Sequence, residues 1–189
     1  MSLRFLPNLL CVLRIVLVYP VALGILQGHY PEVLALFAIA AFTDGLDGFL
    51  AKRFGWHSEL GKVLDPLADK LLLVTVFICL SVAGLAPWWL AALVLLRDLV
   101  IFFGALTYKW LFGPLRGEPT IVSKLNTLCQ IAFCLAVVAE AAFGVPGGAV
   151  VTALGALVVV STAVSGIDYI LIYSRRAAVV ARGRAAAAG

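Results

Sequence analysis

The sequence predicts an all-α integral membrane protein of six transmembrane helices with both termini cytoplasmic, and three observations carry that expectation. Of 189 residues, 63% are hydrophobic and 13% charged, with a mean hydropathy of +1.10, which excludes an ordinary soluble domain. The apolar residues gather into six segments, each long enough, with its polar flanks, to cross a hydrocarbon core of about 30 Å. Lysine and arginine favour alternate loops. Arg4, then Lys52, Arg53 and Lys62, then Lys109 and Arg116, then Arg175, Arg176, Arg182 and Arg184 fall on one side, whereas the loops near 27–32, 83–87 and 140–148 hold none. The positive-inside rule then makes both ends cytoplasmic and the number of spans even.

Segment one covers about 5–27 and holds Arg14 within an apolar run, so that side chain faces the bundle interior or snorkels. The opening MSLRFLPNLL runs straight into this segment without a short apolar region and small-residue cleavage site, so no cleavable signal is expected. Segment two begins after Pro31. Its apolar half, VLALFAIAAF, is too short to span alone, so the acidic residues that follow must share its helix. Segment three, about 60–83, contains Pro66, which removes a backbone donor and should kink it, and Lys70, placed to balance the charge of Asp69.

Segment four, about 88–111, carries Arg97 and Asp98 between Trp88 and Trp89 at one end and Trp110 at the other, resembling interfacial belts. Segment five, about 121–143, opens with Ser123, Lys124, Asn126, Thr127 and Gln130. Spacings of three, four and seven make one wet helix face, which a cavity should meet. Segment six, about 150–173, is rich in Gly, Ala, Ser and Thr, which suits close packing or contact with a second copy in a homodimer. The chain thus divides into one six-helix domain, 1–174, and a basic, Ala-rich tail, 175–189, mobile or lying on anionic lipid. Cys11, Cys79, Cys129 and Cys134 all lie in apolar stretches without CxxC spacing and are read as small packing residues. The net charge of +4 is not a nucleic-acid signal, because the basic residues lie in loops and tail rather than along one face.

The stretch DGLDGFLAKRFGWHSELGKVLDPLADK, from Asp44 to Lys70, sets four carboxylates inside this apolar chain. Asp44 and Asp47 are three residues apart and Asp65 and Asp69 four apart, so each pair lies along one face of its own helix. A short turn around 54–58 makes the two helices antiparallel neighbours. Counted from Gly55 at about 1.5 Å per residue, the four lie roughly 12 to 21 Å along their helices. Neighbouring carboxylates raise one another's pKa and desolvation raises them further. An all-oxygen acidic set favours a hard divalent ion, Mg²⁺ or Mn²⁺, shared with a phosphate-bearing substrate. Two such ions about 3.5 to 4 Å apart can clamp the attacking and leaving oxygens of a phosphoryl transfer. The competing structural reading makes these aspartates helix caps and ion-pair partners of Lys52, Arg53, Lys62 and Lys70.

The order Asp44, Asp47, Gly48, Ala51, Gly61, Asp65, Asp69 resembles the signature of the CDP-alcohol phosphatidyltransferases. One position departs: Lys52, followed by Arg53, stands where that family usually has Arg, and lysine lacks the bidentate fork for phosphate. The resemblance implies an enzyme of phospholipid biosynthesis in the bacterial cell membrane, with its site facing the cytoplasm. An acceptor hydroxyl attacks the lipid-side phosphorus of CDP-diacylglycerol and CMP leaves. It further implies that Asp44, Asp47 and Asp65 bind the metals, that Asp69 is the general base and also touches a metal, and that Gly48, Ala51, Lys52, Arg53 and Gly61 meet the nucleotide and its phosphates. The Asn8 and Arg14 pairing resembles the family's first helix, which lines the cavity. Within the family, LPNLLCVLRIVL, FTDGLDGFLAKRFG, Arg97-Asp98 and IVSKLNTLCQ resemble the cardiolipin synthases, whose acceptor is phosphatidylglycerol. Phosphatidylglycerophosphate synthases, which take glycerol 3-phosphate, are the alternative. Arg14, Arg97 and Lys124 are the basic residues able to bind either acceptor. A divalent-cation transporter also uses intramembrane carboxylates, but inverted repeats or broken helices are not evident.

Topology is directly testable. We predict that a cysteine at position 57, in a variant lacking the four native cysteines, is labelled by an impermeant thiol reagent from the cytoplasmic side; labelling from the outside alone would reverse the orientation.

Overall fold

A computed structural model describes the backbone of residues 6–54, 61–112 and 120–188 and the side chains of 12–43, 70–108, 110 and 120–174. All of the regular structure in these residues is helical: α1 (Leu6–Gln27), α2 (Tyr30–Phe54), α3 (Gly61–Val82), α4 (Trp88–Phe112), α5 (Ile121–Phe143) and α6 (Gly148–Ala188). Six helices are present where six segments are expected. The breaks between them have local causes. Gly28, Gly84 and Gly144 take φ of 79°, 75° and 71°, a left-handed conformation that glycine adopts without steric cost and that ends a helix. Thr120 starts α5, its side-chain oxygen accepting from Ser123 N at 3.2 Å. Glu140 then closes the α5–α6 hairpin, its carbonyl accepting from Gly144 N at 2.9 Å and its Oε2 from Gly147 N at 2.6 Å.

Among the described residues, three helices are long and apolar enough to cross a membrane, over Trp88–Tyr108, Ile121–Phe143 and Gly148–Ser174, while the described parts of α1, α2 and α3 carry shorter apolar runs over Val12–Gln27, Tyr30–Thr43 and Lys70–Val82. Much of the apolar side-chain surface points outward: Phe42, Trp88, Trp110 and Ile121 are more than 70% exposed. A continuous apolar exterior of this kind needs lipid around it.

Inside, α1 packs on α3 and α2, α5 on α6 and α2, and α4 on α6, with lighter contacts of α3 to α4 and α5. Val21 and Ile25 of α1, Phe37 of α2, Val76, Phe77 and Leu80 of α3, and Phe133, Val137 and Val138 of α5 form the core. The rings of Phe77 and Phe133 stack with centroids 5.9 Å apart. The expectation that α2 and α3 are direct neighbours is corrected: α1 packs against both, and they are not among each other's main partners over the described residues. Six residues, 55–60, reach about 20 Å when extended. That exceeds the 8 to 10 Å between packed helix axes, so a short connection does not force adjacency.

The helix of segment six runs past its expected end near 173, because α6 continues unbroken to Ala188, 41 residues and about 60 Å. Alanine and arginine are strong helix formers, so the backbone of 175–188 continues the helix that segment six begins. Pro66 does not divide α3, which is helical from Gly61 to Val82; the side chain of Pro66 falls outside the described ones. Cys79 and Cys134 are buried, Cys129 is half-buried, and all three are free thiols, as packing residues should be. Cys11 lies outside the described side chains.

Gly24 shows how closely α1 and α2 approach: a Cβ there would sit 2.5 Å from Val33 Cγ2. We predict that Gly24→Leu lowers stability by about 1 to 3 kcal/mol through overpacking and that Val33→Ala recovers part of the loss. Thermal unfolding of the detergent-solubilised protein measures both; an unchanged midpoint in Gly24→Leu would refute the close contact.

Candidate active site

The first element of the site is a charged group in the core. Arg14 is 1% exposed, placed by α1 among apolar neighbours. It borders a cavity of about 30 Å³ lined by Phe37, Ala40 and Ala41 of α2, Leu72 and Leu73 of α3, and Thr127 and Ile131 of α5. That volume admits about one water molecule. Paired alanines on α2 leave this space, whereas larger side chains would close it. Of the two fates open to a mid-segment arginine, the structure selects the interior.

The backbones of α2 and α3 carry the acidic stretches past the same place. Position 44 is four residues beyond Ala40, and position 69 three before Leu72. Both are thus about one turn, 5 Å, from the cavity lining, on the side of the α2–α3 connection. Asp44, Asp47, Gly48, Ala51, Lys52, Arg53, Gly61, Asp65 and Asp69 fall outside the described side chains. Among the described residues no group of three or more His, Cys, Asp or Glu is arranged to hold a metal.

A second polar assembly joins four helices. Lys70 Nζ on α3 donates to both carboxylate oxygens of Asp98 on α4, each at 2.7 Å. Arg97 Nη1 donates to Asp98 Oδ1 at 2.8 Å. Its Nη2 donates to Ser123 Oγ on α5 at 2.8 Å and to Ser165 Oγ on α6, and its guanidinium lies 5.8 Å from the ring centroid of Tyr169. Arg97 is buried, Asp98 nearly so, and Lys70 partly open. Asp98 is the counter-charge of both cations, and the hydroxyls and the Tyr169 ring help to stabilise the remaining positive charge in a low-dielectric interior. Lys70 therefore turns to Asp98 across the bundle, a partner that its place beside Asp69 does not suggest.

The polar face of α5 divides. Ser123 meets Arg97, and Thr127 lines the cavity while its Oγ1 donates to Ser123 O at 3.2 Å. Asn126 is buried against α6, its Oδ1 accepting from Ser161 Oγ at 2.8 Å and Thr162 Oγ1 at 2.9 Å. Gln130 is fully buried. The expected cavity does meet this face at Thr127, but most of the face packs on protein. Lys124 is exposed. The three basic residues Arg14, Arg97 and Lys124 thus have three different surroundings: the cavity, the four-helix assembly and the outer surface. Sequence reading missed Ser165, Tyr169 and the pairing role of Asp98. The signal available was the spacing of Ser161, Ser165 and Tyr169, four residues apart, a polar stripe on an apolar helix.

Comparison with known proteins gives a match to the family model of the CDP-alcohol phosphatidyltransferases over residues 4–181. A cardiolipin synthase (CMP-forming) of Rattus norvegicus is 32% identical over 94% of this chain and 64% of its own length. The cardiolipin synthase (CMP-forming) of Homo sapiens is 31% identical over 86% of this chain and 60% of its own. A probable phosphatidylglycerophosphate synthase of Mycobacterium tuberculosis (strain CDC 1551 / Oshkosh) is 32% identical over 87% of this chain and 79% of its own. The chain spans less than two thirds of the length of the two cardiolipin synthases.

The Arg97 contacts can be measured singly. We predict that Ser165→Ala and Ser123→Ala each lower stability by about 1 to 3 kcal/mol, the cost of leaving a buried charged donor unpaired. The double variant should depart from additivity because both hydroxyls serve one Nη2. Strict additivity in thermal unfolding would show that they do not share it.

Proposed function

The chain belongs to the CDP-alcohol phosphatidyltransferase family, and from that premise we propose that it transfers the phosphatidyl group of CDP-diacylglycerol to a glycerol-type hydroxyl and releases CMP, with phosphatidylglycerol as acceptor and cardiolipin as product. The observation that carries the reading is the convergence on one cavity: along α2 and α3, positions 44 and 69 stand about one turn, and positions 47 and 65 about two turns, from the lining of a pocket bordered by Arg14. Asp44, Asp47, Asp65 and Asp69 are an all-oxygen donor set with no His or Cys at positions 44–54 or 61–70, which fits Mg²⁺ or Mn²⁺. Bound there, the ions supply charge neutralisation on the pyrophosphate.

The remaining chemistry belongs to the chain. Asp69 accepts the proton of the acceptor hydroxyl as that oxygen bonds to the lipid-side phosphorus; the bond from this phosphorus to the CMP oxygen breaks, and the electron pair leaves with CMP. Gly48, Ala51 and Gly61 leave room for the nucleotide, and Lys52 or Arg53 meets its phosphates. Arg14, buried at the cavity wall, is the best placed of the three basic candidates to face an acceptor phosphate. Six spans, cytoplasmic termini, a site opening to the cytoplasm, a bacterial cell membrane and a homodimer complete the proposal; the one-sided Lys and Arg distribution and the small-residue surface of α6 support it.

A second reading, glycerol 3-phosphate as acceptor giving phosphatidylglycerophosphate, is favoured by one finding: the mycobacterial relative of that name matches at the same 32% identity as the rat cardiolipin synthase. The protein, purified with Mg²⁺ or Mn²⁺ and CDP-diacylglycerol and offered each acceptor in turn, should form cardiolipin and CMP. Phosphatidylglycerophosphate without cardiolipin would select the second reading. Asp69→Asn should lower turnover by about 10²- to 10⁴-fold while CDP-diacylglycerol binding persists, and Asp44→Asn should weaken Mn²⁺ binding. Retained turnover in the Asp69 variant would remove it from the base role.

A further inference from the structure

The mechanism above leaves unused a heavily partnered carboxylate in the described interior. Asp98 receives three hydrogen bonds at 2.7 to 2.8 Å, two from Lys70 and one from Arg97. Arg97 is in turn held by Ser123 and Ser165 and lies over the ring of Tyr169. Both Nη groups of that guanidinium are committed to protein. The assembly is therefore a brace, tying α4 to α5 and α6, and among the described residues it reaches α3 through Lys70.

Lys70 directly follows position 69, and α3 touches α4 more lightly than it touches α1. A helix with light contact on one side can rotate or slide on that side unless a directional interaction stops it. A bidentate ion pair at position 70 supplies the stop, because both carboxylate oxygens constrain the direction of Lys70. Rotation of α3 by one residue's turn, about 100°, would carry position 69 away from the cavity.

We propose that Asp98 is a positioning residue for the transfer. Braced by Arg97, it holds Lys70 and so sets the register of the α3 turn that carries positions 65 and 69; Arg97 acts as a brace and not as an acceptor contact. This rests on the reaction proposed above and adds to it a residue outside the acidic motif.

The test uses the full chain in lipid nanodiscs with CDP-diacylglycerol, Mn²⁺ and the acceptor that the wild type uses. Asp98→Asn and Lys70→Gln should each lower kcat between about ten- and a hundredfold, the scale of a displacement near 1 Å, with KM for both substrates within about threefold. The double variant should lose no more than the larger single loss, since both residues act through one contact. Asp98→Glu, which keeps the charge, should recover part of kcat. If Asp98→Asn does not fold, the Lys70→Gln and Asp98→Glu variants carry the same kcat and KM comparison. An unchanged kcat, fully additive losses, or a rise confined to the acceptor KM would overturn the positioning role, the last by making the network a substrate contact. Absence of CMP release from the wild type with every acceptor would instead overturn the reaction itself, and this role with it.

Discussion

Charge inside an apolar helical bundle must find its partner within the protein, and the arrangement of α3 to α6 depends on that constraint. Water is not at hand to solvate Arg97, and a buried cation without a counter-charge costs several kcal/mol. The solution spreads the cost over three helices: a carboxylate from the same helix, hydroxyls from two others and an aromatic face. Each of these contacts is short-ranged and directional, so the helices must meet at one rotation and one height for all to form together. Apolar packing alone is less selective, since similar aliphatic surfaces slide past one another at little cost.

The same constraint explains why the candidate site sits where α1, α2, α3 and α5 meet. Arg14 is the charged residue of α1's described length, and it points inward to a small cavity that alanines on α2 leave open. Thr127 connects the two polar regions, lining the cavity on one side and bonding to the backbone of Ser123 on the other, while the Ser123 hydroxyl meets Arg97. The α5 helix is thus the common wall. A perturbation on the Arg97 side has a path to the cavity of one helical turn.

Outward, the usual distribution of a soluble protein is absent. Large aliphatic and aromatic side chains cover the surface, and the buried set is small by comparison, with polar residues among its largest members. In lipid, apolar exposure carries no penalty and the interior is where specificity resides. Gly24 against Val33, and Gly155, where an added Cβ would sit 3.3 Å from the Phe133 ring, show small residues admitting close approach at the α1–α2 and α5–α6 contacts.

By itself the sequence determined the helical class, the ends of the helices to within a few residues except at the C-terminal end of α6, the membrane setting and the reaction family. Each of these rests on local information: apolar run length, glycine and proline at the breaks, and a motif of fixed spacing. It also marked Arg14, Arg97, Ser123 and Thr127 as polar residues that an apolar helix would not carry without a use. Which groups meet was not legible, because contacts between helices depend on rotation and neighbour order that no local pattern encodes. Lys70 stands beside Asp69 in the chain yet bonds to Asp98, 28 residues away. Consecutive α2 and α3 each pack on α1, although a short connection suggests otherwise. Lys124, adjacent to Ser123, faces outward, because about 100° of rotation per residue separates their directions. Only the tertiary structure decided these, since a charge in a low-dielectric interior pairs with whichever partner packing brings within reach, not with the nearest one along the chain.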